Sequence, residues 1–276
     1  MELYRKTSYQ IARRLTRNYS TSFSLAVRIL PNWQRQHIYA IYALARVSDE
    51  IVDTYDGPDE QQLLDQLEAE VLSALTSGYS PNPVVFAFTE TMRRYDIDFQ
   101  LVKDFYTSMR MDIHQQWHNP QTQQQYIHGS AQVIGRMCLQ VLYKDAAQDG
   151  AMISGAESLG SALQKVNFLR DMGDDFFRLG RAYFPGVDIE NLDVDDIAAI
   201  VSEVESEFEA AMQSLLRLPP RPRLAVYLVV LNYRTLLRRI KRTPPQQLAQ
   251  KRIRVPGPVK ALLLVRAYVT VWFQVR

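Results

Sequence analysis

Residues 38–53 read Ile38-Tyr39-Ala40-Ile41-Tyr42-Ala43-Leu44-Ala45-Arg46-Val47-Ser48-Asp49-Glu50-Ile51-Val52-Asp53. Apolar residues recur at three- and four-residue intervals, the period of an α-helix. Pro31 suits a first helical position, and the pattern predicts a helix from there through about Val52. Tyr42, Arg46, Asp49 and Asp53 stand at i, i+4, i+7 and i+11 and share one face. A polar stripe on so apolar a helix needs a partner that satisfies it. Two carboxylates one turn apart suit a hard divalent cation that takes oxygen ligands and keeps some waters. Alone, such a pair reads more readily as a solvated acidic face.

A second stripe changes that reading. In the segment from Leu159 to Asp175, the residues Gly160, Gln164, Asn167, Asp171 and Asp175 again line one helical face. Asp171 and Asp175 repeat the four-residue carboxylate spacing, and Arg170 and Arg181 bracket the cluster. Two helices with paired carboxylates and nearby arginines suit a diphosphate held through Mg²⁺. The metal bridges carboxylate and phosphate oxygens, and arginine forks the remaining charge. One cysteine and four histidines leave little for a zinc site.

The rest of the pattern is helical too. Further helices are expected near 59–77, 82–95, 98–117, 121–144, 149–179, 194–217, 222–242 and 257–274. Pro and Gly pairs mark the joints, as at Gly57-Pro58, Pro185-Gly186 and Pro219-Pro220. Neither an internal repeat nor a linker stands out, so 1–276 reads as one all-α domain. The single Cys138 excludes an internal disulfide. No run approaches the 18 or so apolar residues of a membrane span, and the polar N-terminus lacks a signal core. A soluble, cytoplasmic protein is the expectation. Residues 210–276 carry 14 Lys and Arg and no acid, while all 30 acidic residues lie in 1–209. Such a split suggests a cation-binding body and a basic surface that meets phosphate. A nucleic-acid partner would leave both aspartate stripes unexplained and is not expected.

Three stretches together resemble the first signature of the squalene/phytoene synthase family: Tyr19-Ser20-Thr21-Ser22-Phe23, the run from Ala40 to Arg46, and Asp49-Glu50-Ile51-Val52-Asp53. Gln164 through Asp175, continuing to Arg178-Leu179-Gly180-Arg181-Ala182-Tyr183-Phe184-Pro185, resembles the second. Met111-Asp112, Tyr126 to Gly135 and Lys251 to Val255 follow in the same order, so the resemblance spans nearly the whole chain. Two departures stand out: Thr21 replaces a lysine often seen in the family, and Pro244-Pro245 replaces Gly-Tyr.

The resemblance implies an isoprenoid-synthase-type helical bundle around a central apolar cavity. It implies a prenyltransferase that joins two prenyl diphosphates head to head through a cyclopropyl diphosphate. It implies two or three Mg²⁺ ions on Asp49, Asp53, Asn167, Asp171 and Asp175, with no NADPH. Catalytic roles fall to Tyr42, Arg46, Asp49, Asp53, Tyr126, Asp171 and Asp175. Substrate contacts fall to Ser20, Phe23, Val27, Arg46, Gln164, Asn167, Arg170, Tyr183 and Arg252. The alternatives are a farnesyl-using dehydrosqualene or squalene synthase and a non-catalytic assembly factor, although the latter would be expected to lose the aspartates. Lipidic substrates and a basic tail without an anchor also suggest peripheral contact with an anionic membrane.

The remaining features read as structural. Cys138 is expected in the core, His114, His118 and His128 lack metal-site spacing, and Glu203, Glu205, Glu207 and Glu209 read as a solvated face. Phe23 and Val27 are one turn apart, and the resemblance aims them into the cavity toward Ile134, Gly135, Cys138, Leu159 and Leu163. Val27 and Cys138 are small, and Gly135 and Gly160 add no side chain. The floor therefore reads as open, which favours a twenty-carbon substrate and phytoene. One ring elsewhere, such as Phe168 or Trp272, would close it.

Overall fold

Pro31 lies just outside the helix it announces. Its backbone is extended (φ −57°, ψ 151°), and its carbonyl accepts the amides of Gln34 and Arg35 at 3.1 and 2.9 Å. Helix α3 then runs Asn32–Asp53 with a mostly apolar buried face, so it forms the centre of one half of the bundle. The computed structural model describes residues 1–144, 149–248 and 250–274, with side chains at all of these but 215 and 272–274. The expectation placed on Trp272 therefore lies outside the described side chains.

Two helices precede α3: α1 (Glu2–Tyr19) and the short α2 (Thr21–Val27). Extended Ser20 separates them, and its hydroxyl accepts the Phe23 amide at 3.3 Å. After α3 come α4 (Glu60–Ser77), α5 (Pro83–Tyr95) and α6 (Phe99–His114). Asn82 caps α5 ahead of its first-turn proline, and Asp98 caps α6. The predicted helix over 121–144 is three pieces: α7 (Pro120–Ile127), a π-helical turn (His128–Gln132) and α8 (Val133–Leu142). Next are the long α9 (Gly150–Leu179) and α10 (Val194–Leu215). The basic C-terminal segment forms α11 (Pro220–Lys241), α12 (Pro245–Leu248) and α13 (Gly257–Gln274). Among the described residues no strand forms, and Trp117 and Ala182 make one isolated bridge. No described helix is long and apolar enough to cross a membrane.

Two apolar clusters divide the interior. One joins α3 to α4, α5, α6 and α8, and the other joins α9 to α7, α10 and α11. Between them α8, the π-helical turn and α9 approach closely. A Cβ on Gly160 would meet the Ala131 carbonyl oxygen at 2.5 Å, and one on Gly135 would meet that of Ala156 at 2.5 Å. These glycines line the cavity, in keeping with the reading from sequence, and they also let two helix backbones touch.

Of the glutamate run, Glu203, Glu205 and Glu209 are exposed as expected, and Glu207 is half-buried. Lys165 is buried on α9 and donates to Glu203 at 2.5 Å and Glu207 at 2.7 Å, while Ser161 donates to Glu207 at 2.7 Å. Burying a lysine requires such partners, so Glu203 and Glu207 also anchor α10 to α9. His118 is buried as well, stacked on Tyr183 with ring centroids 5.4 Å apart.

Candidate active site

Helices α2, α3, α6, α8, α9 and α11 enclose a cavity of about 580 Å³ with a polar mouth and an apolar depth. That volume is in the range of small-molecule sites. Every residue named above as catalytic, substrate-binding or metal-ligating lines it. From α2 and its cap come Ser20, Phe23 and Val27; from α3 Tyr42, Arg46, Asp49 and Asp53; from α7 Tyr126. Helix α9 gives Gln164, Asn167, Arg170, Asp171 and Asp175, and two loops give Tyr183 and Arg252. The four-residue spacing that placed each carboxylate pair on one face directs both pairs into one opening.

The carboxylates sit among arginines. Arg46 pairs with Glu50, lies 3.7 Å from Asp49 and spans the Tyr19 ring at 4.5 Å. Arg170 Nε donates to Asp171 Oδ1 at 3.0 Å. Arg252 Nε approaches the same oxygen at 2.8 Å from the loop before α13. Arg181 Nη1 donates to Asp53 Oδ1 at 2.6 Å and Nη2 to the Val52 carbonyl at 2.6 Å. Arg178 donates to Asp174, at 3.1 Å through both Nε and Nη2. Asn167 Oδ1 accepts from the Tyr233 hydroxyl at 3.3 Å.

Negative charge is nevertheless crowded here. Burial, then Asp171 and Asp53, push the Asp175 carboxyl up to about 8. Asp49 keeps 37% side-chain exposure, yet it faces the cavity rather than open water; desolvation and then Asp53 push it up to about 7. A cation at the mouth would relieve both. All the donors are oxygens, which fits a hard divalent ion. Among the described residues no three His, Cys, Asp or Glu side chains converge tightly enough to hold a metal. An ion keeping waters and taking further ligands from a phosphate does not need such a cage.

Deeper in, aromatic rings define the walls. Phe23 stacks on Tyr42 at 5.1 Å, and burial pushes the Tyr42 hydroxyl up to about 12. Phe168 stacks flat on Tyr183 at 4.2 Å. Val27, Ile134, Gly135, Cys138, Leu159 and Leu163 line the apolar depth, where burial pushes the Cys138 thiol up to about 12.

Asp112 was not singled out from sequence as a site residue. It sits in the last turns of α6 with 3% side-chain exposure and accepts the hydroxyls of Tyr126 at 2.7 Å and Tyr183 at 2.8 Å. Arg181 lies 3.8 Å from it. Burial pushes the Asp112 carboxyl up to about 6 against the opposing pull of Arg181 and Tyr126. Burial disfavours the Arg181 charge, but Asp112 and Asp53 more than offset that and raise its pKa. One signal was available: Phe105, Met109 and Asp112 fall at i, i+4 and i+7, which puts a carboxylate on the buried face of α6.

Residues 16–258 match the family model described as squalene/phytoene synthase. A phytoene synthase of Arthrospira platensis is 28% identical over 270 residues, covering 86% of this chain and 85% of that one. A 4,4'-diapophytoene synthase of Staphylococcus haemolyticus is 27% identical over 202 residues, covering 72% and 68%. A solved dehydrosqualene synthase in complex with ligand superposes with a TM-score of 0.84 at 22% identity over 97% of each chain. Squalene synthase HpnC from Alicyclobacillus acidocaldarius gives 0.75 at 24% over 88% of this chain and 97% of that one. At such identities these two structures bear on the fold alone.

Proposed function

The chain belongs to the squalene/phytoene synthase family, and from that premise we propose that it condenses two geranylgeranyl diphosphates head to head into 15-cis-phytoene. It is a prenyltransferase. The observation that carries the proposal is a cavity of about 580 Å³ that joins two carboxylate pairs, ringed by arginines, to an apolar depth. A diphosphate head fits the first feature and a hydrocarbon tail the second.

Asp49, Asp53, Asn167, Asp171 and Asp175 would hold Mg²⁺, and Gln164 would order the diphosphates beside them. The bound metal would neutralise the charge of the departing diphosphate. Arg46, Arg170 and Arg252 fork the remaining phosphate charge. Loss of diphosphate from one allylic substrate leaves a carbocation, and the double bond of the second attacks it to form a cyclopropyl diphosphate. A second ionisation, rearrangement and proton loss give the hydrocarbon. Tyr42, Phe23, Phe168 and Tyr183 offer aromatic faces to positive charge, and the apolar walls exclude water that would quench it.

The twenty-carbon substrate is favoured because Val27 and Cys138 are small and Phe168 is held against Tyr183. The similarity to a diapophytoene synthase supports farnesyl diphosphate as the second reading. Incubation with each substrate, with and without NADPH, and mass analysis of the hydrocarbon test the choice. Phytoene from geranylgeranyl diphosphate without NADPH is the expected result; a thirty-carbon product alone would replace it with the second reading.

The basic C-terminal segment supports contact with an anionic membrane. Leu262, Val265, Tyr268 and Val269 are exposed on α13, and residues 210–276 hold no acid. Each Lys or Arg near an anionic surface contributes about 1 kcal/mol. Co-sedimentation with anionic but not neutral vesicles is expected, and equal binding to both, or to neither, would contradict it.

A further inference from the structure

Tyr126 and Tyr183 both line the cavity, and neither directs its hydroxyl proton into it. Each proton is committed to a different oxygen of one buried carboxylate: Tyr126 to Asp112 Oδ2 at 2.7 Å and Tyr183 to Asp112 Oδ1 at 2.8 Å. A phenol has one proton to donate and two lone pairs. With its proton so fixed, each hydroxyl can offer the cavity only lone pairs. The two rings lie 5.0 Å apart, so the oxygens act on one region. Asp112 shares Arg181 with Asp53: the guanidinium stands 3.8 Å from the Asp112 oxygen that Tyr183 donates to and 2.6 Å from Asp53.

We propose that Asp112 is a positioning residue that turns the lone pairs of Tyr126 and Tyr183 toward the cavity and so fits it to positive charge. This rests on the prenyl-transfer reading, in which positive charge develops there once diphosphate departs. An Asp112→Asn side chain keeps the shape but can accept only through one oxygen. Its amide donates to the other hydroxyl, which must turn its proton elsewhere. Preorganised dipoles act most strongly in a cavity shielded from water, so reversing one should be felt directly by a cation.

The test uses the full chain and two probes, each with inorganic diphosphate and Mg²⁺: a prenyl dimethylammonium salt and the uncharged hydrocarbon of the same branched skeleton. Asp112→Asn should weaken the ammonium probe about tenfold by calorimetry and leave the uncharged probe unchanged. In turnover it should lower kcat about tenfold with KM little altered. In a Tyr126→Phe, Tyr183→Phe background the same change should add no further loss, since the groups it orients are gone. Equal binding of both probes by wild type and variant overturns the proposal. So does a loss that persists in full in the phenylalanine background, which would mean Asp112 acts by its charge alone. Where Asp112→Asn does not fold, the two phenylalanine changes alone must reproduce the loss of ammonium affinity, and their failure to do so overturns the proposal. If wild type forms no hydrocarbon, the prenyl-transfer reading falls, and the ammonium comparison still decides the role of Asp112.

Discussion

Arg252 reaches across the mouth to Asp171, its Nε 2.8 Å from Oδ1, although 81 residues separate them in the chain. This contact brings the basic C-terminal segment to the second carboxylate pair. The guanidinium is half exposed, so the pair contributes little to stability. Its importance should lie in binding. Arg252→Ala should raise KM for the prenyl diphosphate about tenfold or more while leaving the thermal midpoint within about 2 °C. Steady-state kinetics beside a melting curve check this, and a matching fall in stability would assign Arg252 to the fold.

The raised carboxyl of Asp175 makes stability depend on pH in an unusual direction. An acid ordinarily near 3.8 that titrates near 8 when folded keeps its proton in the native state and loses it in the unfolded chain. Between about pH 4 and about pH 8 the native state therefore binds more protons, and this group's contribution falls as pH rises. Asp49, pushed up to about 7, acts in the same sense. Melting curves in EDTA should show Asp175→Asn gaining stability over wild type as pH rises through that window. A difference that stays flat, or favours wild type at the alkaline end, would contradict the placement of Asp175 beside Asp171 and Asp53.

Gly160 tests the close approach of α9 to the π-helical turn. The Cβ of Gly160→Ala would lie 2.5 Å from the Ala131 carbonyl oxygen. Backbone on both sides must move, and overpacking of this kind costs about 1–3 kcal/mol. Chemical denaturation should show the loss; an unchanged midpoint would mean the two helices stand further apart.

Val27 tests cavity depth. It is buried on α2 and lines the cavity one turn from Phe23. Val27→Phe puts a ring where a long tail would pass. It should depress use of geranylgeranyl diphosphate at least about tenfold more than farnesyl diphosphate. Competition assays with both substrates check this, and an equal loss of both would show that Val27 does not gauge length.

What the sequence disclosed follows from how local each signal is. Asp49 with Asp53, and Asp171 with Asp175, are legible because one helical turn fixes their common face. Arg181 was legible only as a basic residue flanking the second pair in the chain, and its grip on Asp53 joins residues 128 apart and needs the fold. Asp112 was missed because its partners Tyr126 and Tyr183 come from a different helix and a loop. Gly135 and Gly160 do line the cavity, but that they also admit a neighbouring backbone needs the fold, because a missing side chain looks the same in sequence either way. The break at His128–Gln132 carried no proline, only Gly129, which a helix tolerates. The N-terminal helix α1 went unassigned, although Tyr9, Ala12 and Thr16 give its buried face a helical period.

The central claim is that the two carboxylate pairs together make a Mg²⁺-dependent diphosphate site. The most direct measurement is hydrocarbon formation by wild type, Asp49→Asn and Asp171→Asn across a Mg²⁺ titration, beginning from EDTA-treated protein. Each substitution keeps the side-chain volume and removes one metal-binding charge. The account predicts no product without Mg²⁺, restoration on its addition, and less than about a tenth of wild-type turnover in either variant at saturating metal, with melting curves showing both folded. Product in EDTA, or either variant above that level, would contradict it.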